Sequence, residues 1–209
     1  MKPDTTPWHD LTLVFDSSIP PFPGDPPTTI EQYATIQKEG WNEKRITFNS
    51  HFSTHIDAPF HMLSKGKKLD QFPIDHFIGE GTVINLNNVP FDNSPDLSLI
   101  KQDDIVFFHT GHTSKIGSKN FFEKNPTISL PLAQRLLEKK VRIVGIDSFT
   151  PDNTPFYVHK FLFQHDILIV ENLINLEPLI GKRFQFIILP LKIKDADGAP
   201  CRVIAQEIK

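Results

Sequence analysis

Proline interrupts this chain so often that long helices have little room to form. The sequence carries 18 prolines in 209 residues, and five of them, with Gly24, fall within residues 18–27 (SIPPFPGDPP). That segment has too few backbone N–H donors for a helix or a central strand, so it reads as a rigid loop with a turn at Pro23-Gly24-Asp25. Between the prolines lie short apolar runs rich in β-branched and aromatic residues. Residues 11–15, 28–36, 45–53, 79–86, 105–108, 141–146, 167–170, 184–191 and 202–205 read as strands. Residues 129–140 read as the main helix: Ser129 can cap it, Pro131 suits its first turn, and Leu132, Leu136 and Leu137 form an apolar stripe. Residues 158–164 read as a second, shorter helix. These elements predict an α/β fold, strand-rich with few helices, and no repeat or linker divides residues 1–209 into more than one domain.

Composition narrows the function classes. A net charge of −3 and a pI near 6.3 give no electrostatic reason to expect nucleic acid or an anionic membrane as partner. A single cysteine, Cys201, cannot form an internal disulfide, which fits a reducing compartment, metal sites without sulfur, and a small buried residue at that position. The first ten residues lack the apolar core of a signal peptide, and no run approaches the roughly 20 apolar residues that span a membrane. A cytoplasmic location is the expectation. The 18 phenylalanines, against two tyrosines and two tryptophans, are core residues by default.

The chemistry concentrates in residues 50–61, SHFSTHIDAPFH, which place three histidines and an aspartate within eleven residues at His51, His55, Asp57 and His61. The four share parity, so an extended chain turns them all to one side. His51 and His55 also have helical spacing, but Pro59 and the position of Asp57 argue for a strand leading into a turn. Two imidazoles and a carboxylate are ordinary ligands for zinc, manganese or non-haem iron. Further ligands must come from elsewhere, and two candidates lie downstream. His159 reads equally as a ligand or as a surface residue at a helix start. Glu171, ending the apolar run 167–170, reads equally as a ligand or as a solvated strand-end charge. His109 and His112, flanking Gly111, read as a polar turn, His76 and His165 as surface or capping residues, and residues 65–68 (KGKK) as a solvated tip.

His51-Phe-Ser-Thr-His55-Ile-Asp57-Ala-Pro-Phe-His61 resembles the HxGTHxDxPxH motif of the cyclase family, which includes bacterial kynurenine formamidases and isatin hydrolases. The loop PFPGDPP resembles that family's proline-rich loop. Val144-Gly-Ile-Asp147-Ser, followed by His159 and Glu171-Asn-Leu, resembles its later ligand region, and Leu189-Pro-Leu with residues 196–202 (ADGAPCR) its C-terminal signature. The resemblance implies a swivelling β/β/α-type fold, usually dimeric, with His51, His55 and Asp57 binding a first metal and Asp57 bridging to a second held by His159 and Glu171. It also implies that His61 is the general acid/base. Phe22 stands where the formamidases carry a substrate-contacting tryptophan.

The resemblance points to metal-dependent hydrolysis of an amide C–N bond in a small molecule, with N-formylkynurenine, giving kynurenine and formate, as the leading substrate. Zinc, one or two ions, is the default cofactor and manganese the alternative. A metal-activated water attacks the carbonyl, and His61 moves the proton to the leaving nitrogen. Phe22, and Trp41 as a further candidate, would wall an aryl substrate. Ser53 replaces the motif glycine, a costly change only if φ is positive there. Phe22 for tryptophan loses an indole N–H, and His109 lies where many members have arginine. Other readings are a cyclic amide such as isatin as substrate, or a non-catalytic metal or small-molecule binder on the same scaffold. An iron oxygenase built on His55, Asp57 and His159 would leave His51, His61 and Glu171 without roles.

Overall fold

The computed structural model describes residues 6–87, 95–118 and 121–208. Among the described residues ten strands form: β1 (Trp8–Asp10), β2 (Thr29–Ala34), β3 (Glu43–Thr47), β4 (His55–Asp57), β5 (Ile78–Asn85), β6 (Ile105–His109), β7 (Ile143–Ile146), β8 (Leu168–Glu171), β9 (Arg183–Pro190) and β10 (Gly198–Glu207). Two α-helices accompany them, α1 (Leu130–Glu138) and α2 (Tyr157–Phe163). Short 3-10 turns fill several connections, among them Pro59–His61. The strand-rich α/β class is therefore what the chain adopts.

Seven strands close into a ring in the order β10-β4-β8-β7-β6-β5-β9, because β9 pairs back onto β10. Strands β5 to β8 run parallel, while β4, β9 and β10 pair antiparallel. Closure leaves few unpaired edges. β1 attaches to β10, and β2 and β3 form a separate hairpin.

The parallel strands are apolar at successive positions because both of their faces are covered. In β6, Ile105 and Phe107 point into the ring, and Val106 and Phe108 point outward. The outward layer packs on α1 and α2 through Leu132, Ala133, Leu136, Val158, Leu162 and Phe163. Ser129 caps α1 by accepting from Leu132 N–H at 3.2 Å, and Pro131 sits in its first turn. Inside the ring, Gly145 is required by its neighbour: a Cβ there would lie 2.5 Å from the Phe107 ring.

The expected turn forms, with Asp25 N–H donating to Phe22 C=O at 2.9 Å and Gly24 at φ 104°. Two expected strands shift. Residues 11–15 give only a bridge at Thr12, because the Thr12 hydroxyl bonds the Val203 backbone and Leu13 N–H donates to Thr54 Oγ1 (2.8 Å), so side chains take the place of a ladder. The expected strand over 45–53 ends at Thr47, and Ser53 turns left-handed at φ 59°.

Candidate functional site

The site grows from the pairing of two strands. His55 of β4 lies directly opposite Glu171 of β8, and Asp57 follows two positions on. Ile56, between them, points into the ring core, so strand alternation turns His55, Asp57 and Glu171 to the other face. All three are buried. His55 Nε2 stands 3.3 Å from Asp57 Oδ1 and 3.3 Å from Glu171 Oε2. From α2, His159 brings its Nε2 to 3.3 Å from Glu171 Oε1 and 3.9 Å from Asp57 Oδ2.

The groups behind these rings fix which nitrogen faces inward. His55 Nδ1–H donates to the Ser53 carbonyl (2.9 Å), since a carbonyl only accepts. Asn172 Nδ2–H donates to the same oxygen at 3.0 Å. His159 Nδ1–H donates to Asp152 Oδ1 at 2.5 Å, and Asp152 Oδ2 accepts from Val158 N–H at 2.6 Å, which also secures the start of α2. With Nδ1 carrying the proton, the neutral form of each ring presents its Nε2 lone pair toward carboxylates. His55 Nε2 is buried and makes no hydrogen bond of its own. Imidazole nitrogens and anionic oxygens crowded together in a buried site call for a positive charge among them, a proton on the ring or a metal ion. Outer partners that set the tautomer of a ligating histidine are a regular feature of metal centres. The donor set therefore fits a divalent metal ion, with N and O ligands and no sulfur.

His51 and His61 form the outer half. The His51 ring is bracketed by Asp57 Oδ1 at 2.7 Å and Asp197 Oδ2 at 2.8 Å. His61 leans on it, with ring centroids 3.9 Å apart and His61 Nδ1 3.6 Å from Asp197 Oδ2. Burial disfavours a charged His51 ring, but Asp57 and Asp197 outweigh that and push its pKa up to about 10. His159 behaves likewise: burial opposes charge, yet Asp152 and Glu171 raise it to about 9. Burial alone would raise the Asp57 carboxyl, but His51 and His55 hold it below the usual carboxylate range. Donor atoms lie close enough to share an ion in two groups: His55, Asp57 and Glu171, and separately His51, Asp57 and His61. Both differ from the partition that the motif implied, because His55 lies opposite Glu171 and His51 sits beside His61.

A cavity of about 600 Å³ opens over this cluster. His51, His55, Asp57, His61, His159 and Glu171 line it together with Phe22, so the structure brings all seven candidates to one place. Common parity accounts for His55 and Asp57 only. His51 arrives on a loop and His61 on the 3-10 turn after Pro59. Trp41 is absent from the lining: it is exposed on the β2–β3 hairpin, and its Nε1–H donates to Glu43 at 3.1 Å. His112 sits behind the wall, donating Nε2–H to the Phe121 carbonyl at 2.7 Å. Sequence reasoning missed Asp152 and Asp197. Asp197 sits in a segment already matched to the family, but no spacing rule ties it to His51.

Comparison with known proteins places the chain in a family. A family model described as "Putative cyclase" matches residues 9–153. A kynurenine formamidase of Bacillus cereus is 30% identical over 208 residues, covering 98% of this chain and 99% of that protein. A kynurenine formamidase of Bacillus thuringiensis is 29% identical with the same coverage. Among solved structures, one titled as a potential metal-dependent hydrolase with cyclase activity superposes with a TM-score of 0.79 at 25% identity, covering 98% of this chain and 99% of that one. Isatin hydrolase A from Labrenzia aggregata, bound to benzyl benzoate, shares the fold with a TM-score of 0.86 at 24% identity, covering 98% of this chain and 94% of that one. With a family model spanning most of its length and relatives that match it end to end, this chain belongs to the cyclase family of metal-dependent hydrolases.

Proposed function

We propose that the protein hydrolyses the formamide bond of an aryl formamide, with N-formylkynurenine as the substrate and kynurenine and formate as the products. The observation that carries the reading is the pair of imidazole Nε2 atoms, on His55 and His159, facing Asp57 and Glu171 at the foot of a cavity walled by aromatic rings. Full-length relatives named kynurenine formamidase support the substrate.

His51, His55, Asp57, His159 and Glu171 would hold the metal, zinc by preference for an N/O donor set, with manganese as the alternative. A bound divalent ion supplies a Lewis acid beside the scissile carbonyl. The protein supplies the rest. The aromatic wall, Phe22 included, positions the aryl ring by apolar contact. His61 accepts a proton from the attacking water and returns it to the departing nitrogen, so that one water is consumed and an amine and formic acid leave. Asp197 Oδ2, 3.6 Å from Nδ1 of His61, favours the tautomer with the ring's own proton on Nδ1 and leaves Nε2 for the exchange. Asp152 and Ser53 hold the two buried rings in the ligating tautomer.

We further propose a single domain acting as a homodimer in the cytoplasm. The β2–β3 hairpin exposes Tyr33, Trp41 and Ile46, an apolar set that a second copy would cover. Among the described residues no helix is long and apolar enough to cross a membrane. The one cysteine is buried.

The test is hydrolysis of N-formylkynurenine by purified protein, before and after chelation and with zinc or manganese restored. Turnover that is lost on chelation and regained with metal supports the proposal. No turnover from metal-loaded protein sinks this substrate, and isatin run in parallel tests the cyclic-amide alternative.

A further inference from the structure

The cavity has two chemically different halves. The polar lining follows the ligand strands: Asn49 and Ser50 lead into His51, and Asn172 follows Glu171. The opposite half is built of phenylalanine. Phe121, Phe122 and Phe149 form one packed cluster, with centroids 5.0 Å apart for Phe121–Phe122, 5.5 Å for Phe121–Phe149 and 5.0 Å for Phe122–Phe149. Phe22 meets the last two at 6.2 Å each. Phe156 flanks the cavity on the α2 side, edge-on to His159 at 5.8 Å. None of these rings carries a donor or acceptor.

Thr150, the polar lining residue that follows Phe149, is already committed. The Thr150 hydroxyl donates to the Asp152 carbonyl at 3.0 Å, and the Thr150 carbonyl accepts from Ser148 Oγ–H and Asn125 Nδ2–H. The wall is also held in place. His112 stacks on Phe121 with planes 22° apart while bonding its carbonyl. Thr113 N–H, next in the chain, donates to the Asp147 carbonyl at 3.0 Å, so the brace is tied to the end of β7. The wall cannot easily rotate a polar group toward a ligand.

We infer that Phe121, Phe122 and Phe149 make this a site for aryl amides whose ring edge, away from the scissile bond, bears no hydrogen-bonding substituent. The inference rests on the aryl-amide reading above. A ring hydroxyl pressed against this wall loses its water partner and gains none, whereas a methyl group of similar size gains contact. An apolar pocket rejects an added hydroxyl by at most about 100-fold. The expected ratio of kcat/KM between a methyl and a hydroxyl substituent is about 10- to 100-fold.

The experiment compares formanilide with its 3-methyl and 3-hydroxy derivatives, and the 4-substituted pair, on metal-loaded protein. Methyl and hydroxyl have similar size and modest electronic effects on the leaving aniline, so a difference reports the wall. The expected result is a methyl compound at or above formanilide and a hydroxyl compound at least 10-fold below the methyl. Hydroxyl and methyl within threefold of each other at both ring positions overturn the inference. Phe149→Tyr and, separately, the half-buried Phe122→Tyr supply a phenol partner. The ratio should shrink in at least one, and a ratio unchanged in both counts against the wall as its source. If no formanilide is turned over, the aryl-amide reading fails on its own. Calorimetric titration of 3-methyl- and 3-hydroxyacetanilide then decides the wall separately, with equal dissociation constants overturning it.

Discussion

Asp152→Asn replaces one oxygen of a carboxylate that serves two masters. Oδ1 accepts from His159 Nδ1–H and Oδ2 from Val158 N–H. Asparagine has one acceptor and one NH2 group, so it satisfies only one of them. If its oxygen faces His159, the NH2 meets the Val158 N–H, and a buried donor is left unpaired at a cost of about 1–3 kcal/mol. For a chain of this size that lowers Tm by roughly 2–12 °C. If its NH2 faces His159, the ring must accept at Nδ1 and carry its proton on Nε2, aimed at Glu171. Stability is then largely kept, but the lone pair for metal is gone, and metal affinity falls by about 10- to 100-fold or more. The two losses are alternatives that the same protein must divide between them. The assay is thermal unfolding of chelated protein together with metal affinity by competition with a chromophoric chelator. A variant with parental Tm and parental metal affinity refutes the reasoning, because it would mean that the carboxylate neither orients His159 nor anchors α2.

Other outcomes follow from the same geometry. Ser53→Gly should stay within about 1 kcal/mol of the parent, because relief of the left-handed strain is offset by a more flexible unfolded chain and by loss of the 3.2 Å bond from Ser53 Oγ to the Leu13 carbonyl. Ser53→Val should cost at least about 2 kcal/mol and lose metal, since a β-branched residue at φ 59° pulls the Ser53 carbonyl off His55; equal denaturation midpoints for Gly and Val would contradict this. Gly198→Ala places a Cβ 2.8 Å from His51 Cε1 and 2.8 Å from the Ile56 carbonyl, so kcat/KM should drop by about 100-fold with a stability loss of only about 1–3 kcal/mol, as read by kinetics and melting. In chelated protein, His51 and His159 titrate near 10 and near 9, above the value of about 6.5 expected of an unfolded chain. The folded state then binds more protons, so their stabilisation is complete below about pH 6.5 and is lost as pH rises through 9 to 10. Denaturant midpoints at about pH 6 and about pH 9.5 check it, and a higher midpoint at the alkaline end contradicts it.

The candidate ligands were legible where one local rule governed their placement. Alternation along β4 put His55 and Asp57 on one face, and a carboxylate ending an apolar run put Glu171 at the end of β8. Ser129 marked the start of α1 through a local capping hydrogen bond and Pro131 through its fixed φ. What escaped depends on contacts between distant segments. Asp197 meets His51 across 146 positions of chain, and nothing near either residue records the meeting. Asp152 is only seven positions from His159, but its role needs the backward bend that lets it cap α2, and its own neighbours look like an ordinary polar loop. Residues 11–15 were misplaced because apolar content signals burial, and Leu11 is fully buried, while the threonine hydroxyls that replace the ladder leave no periodic trace.

The closed ring has a consequence for the order of events during biosynthesis. His55 pairs with Pro200, and Asp57 with Gly198, so the strand carrying two candidate ligands is flanked on one side by residues made much later in synthesis. Until β10 emerges, β4 has only one neighbour, His51 lacks the Asp197 carboxylate, and the ring stands open between β4 and β9. Contacts this far apart in sequence form late. A nascent chain therefore displays His51, His55 and Asp57 well before it can hold them in their final arrangement, and the proposed metal site is complete only when the last strand closes the circle.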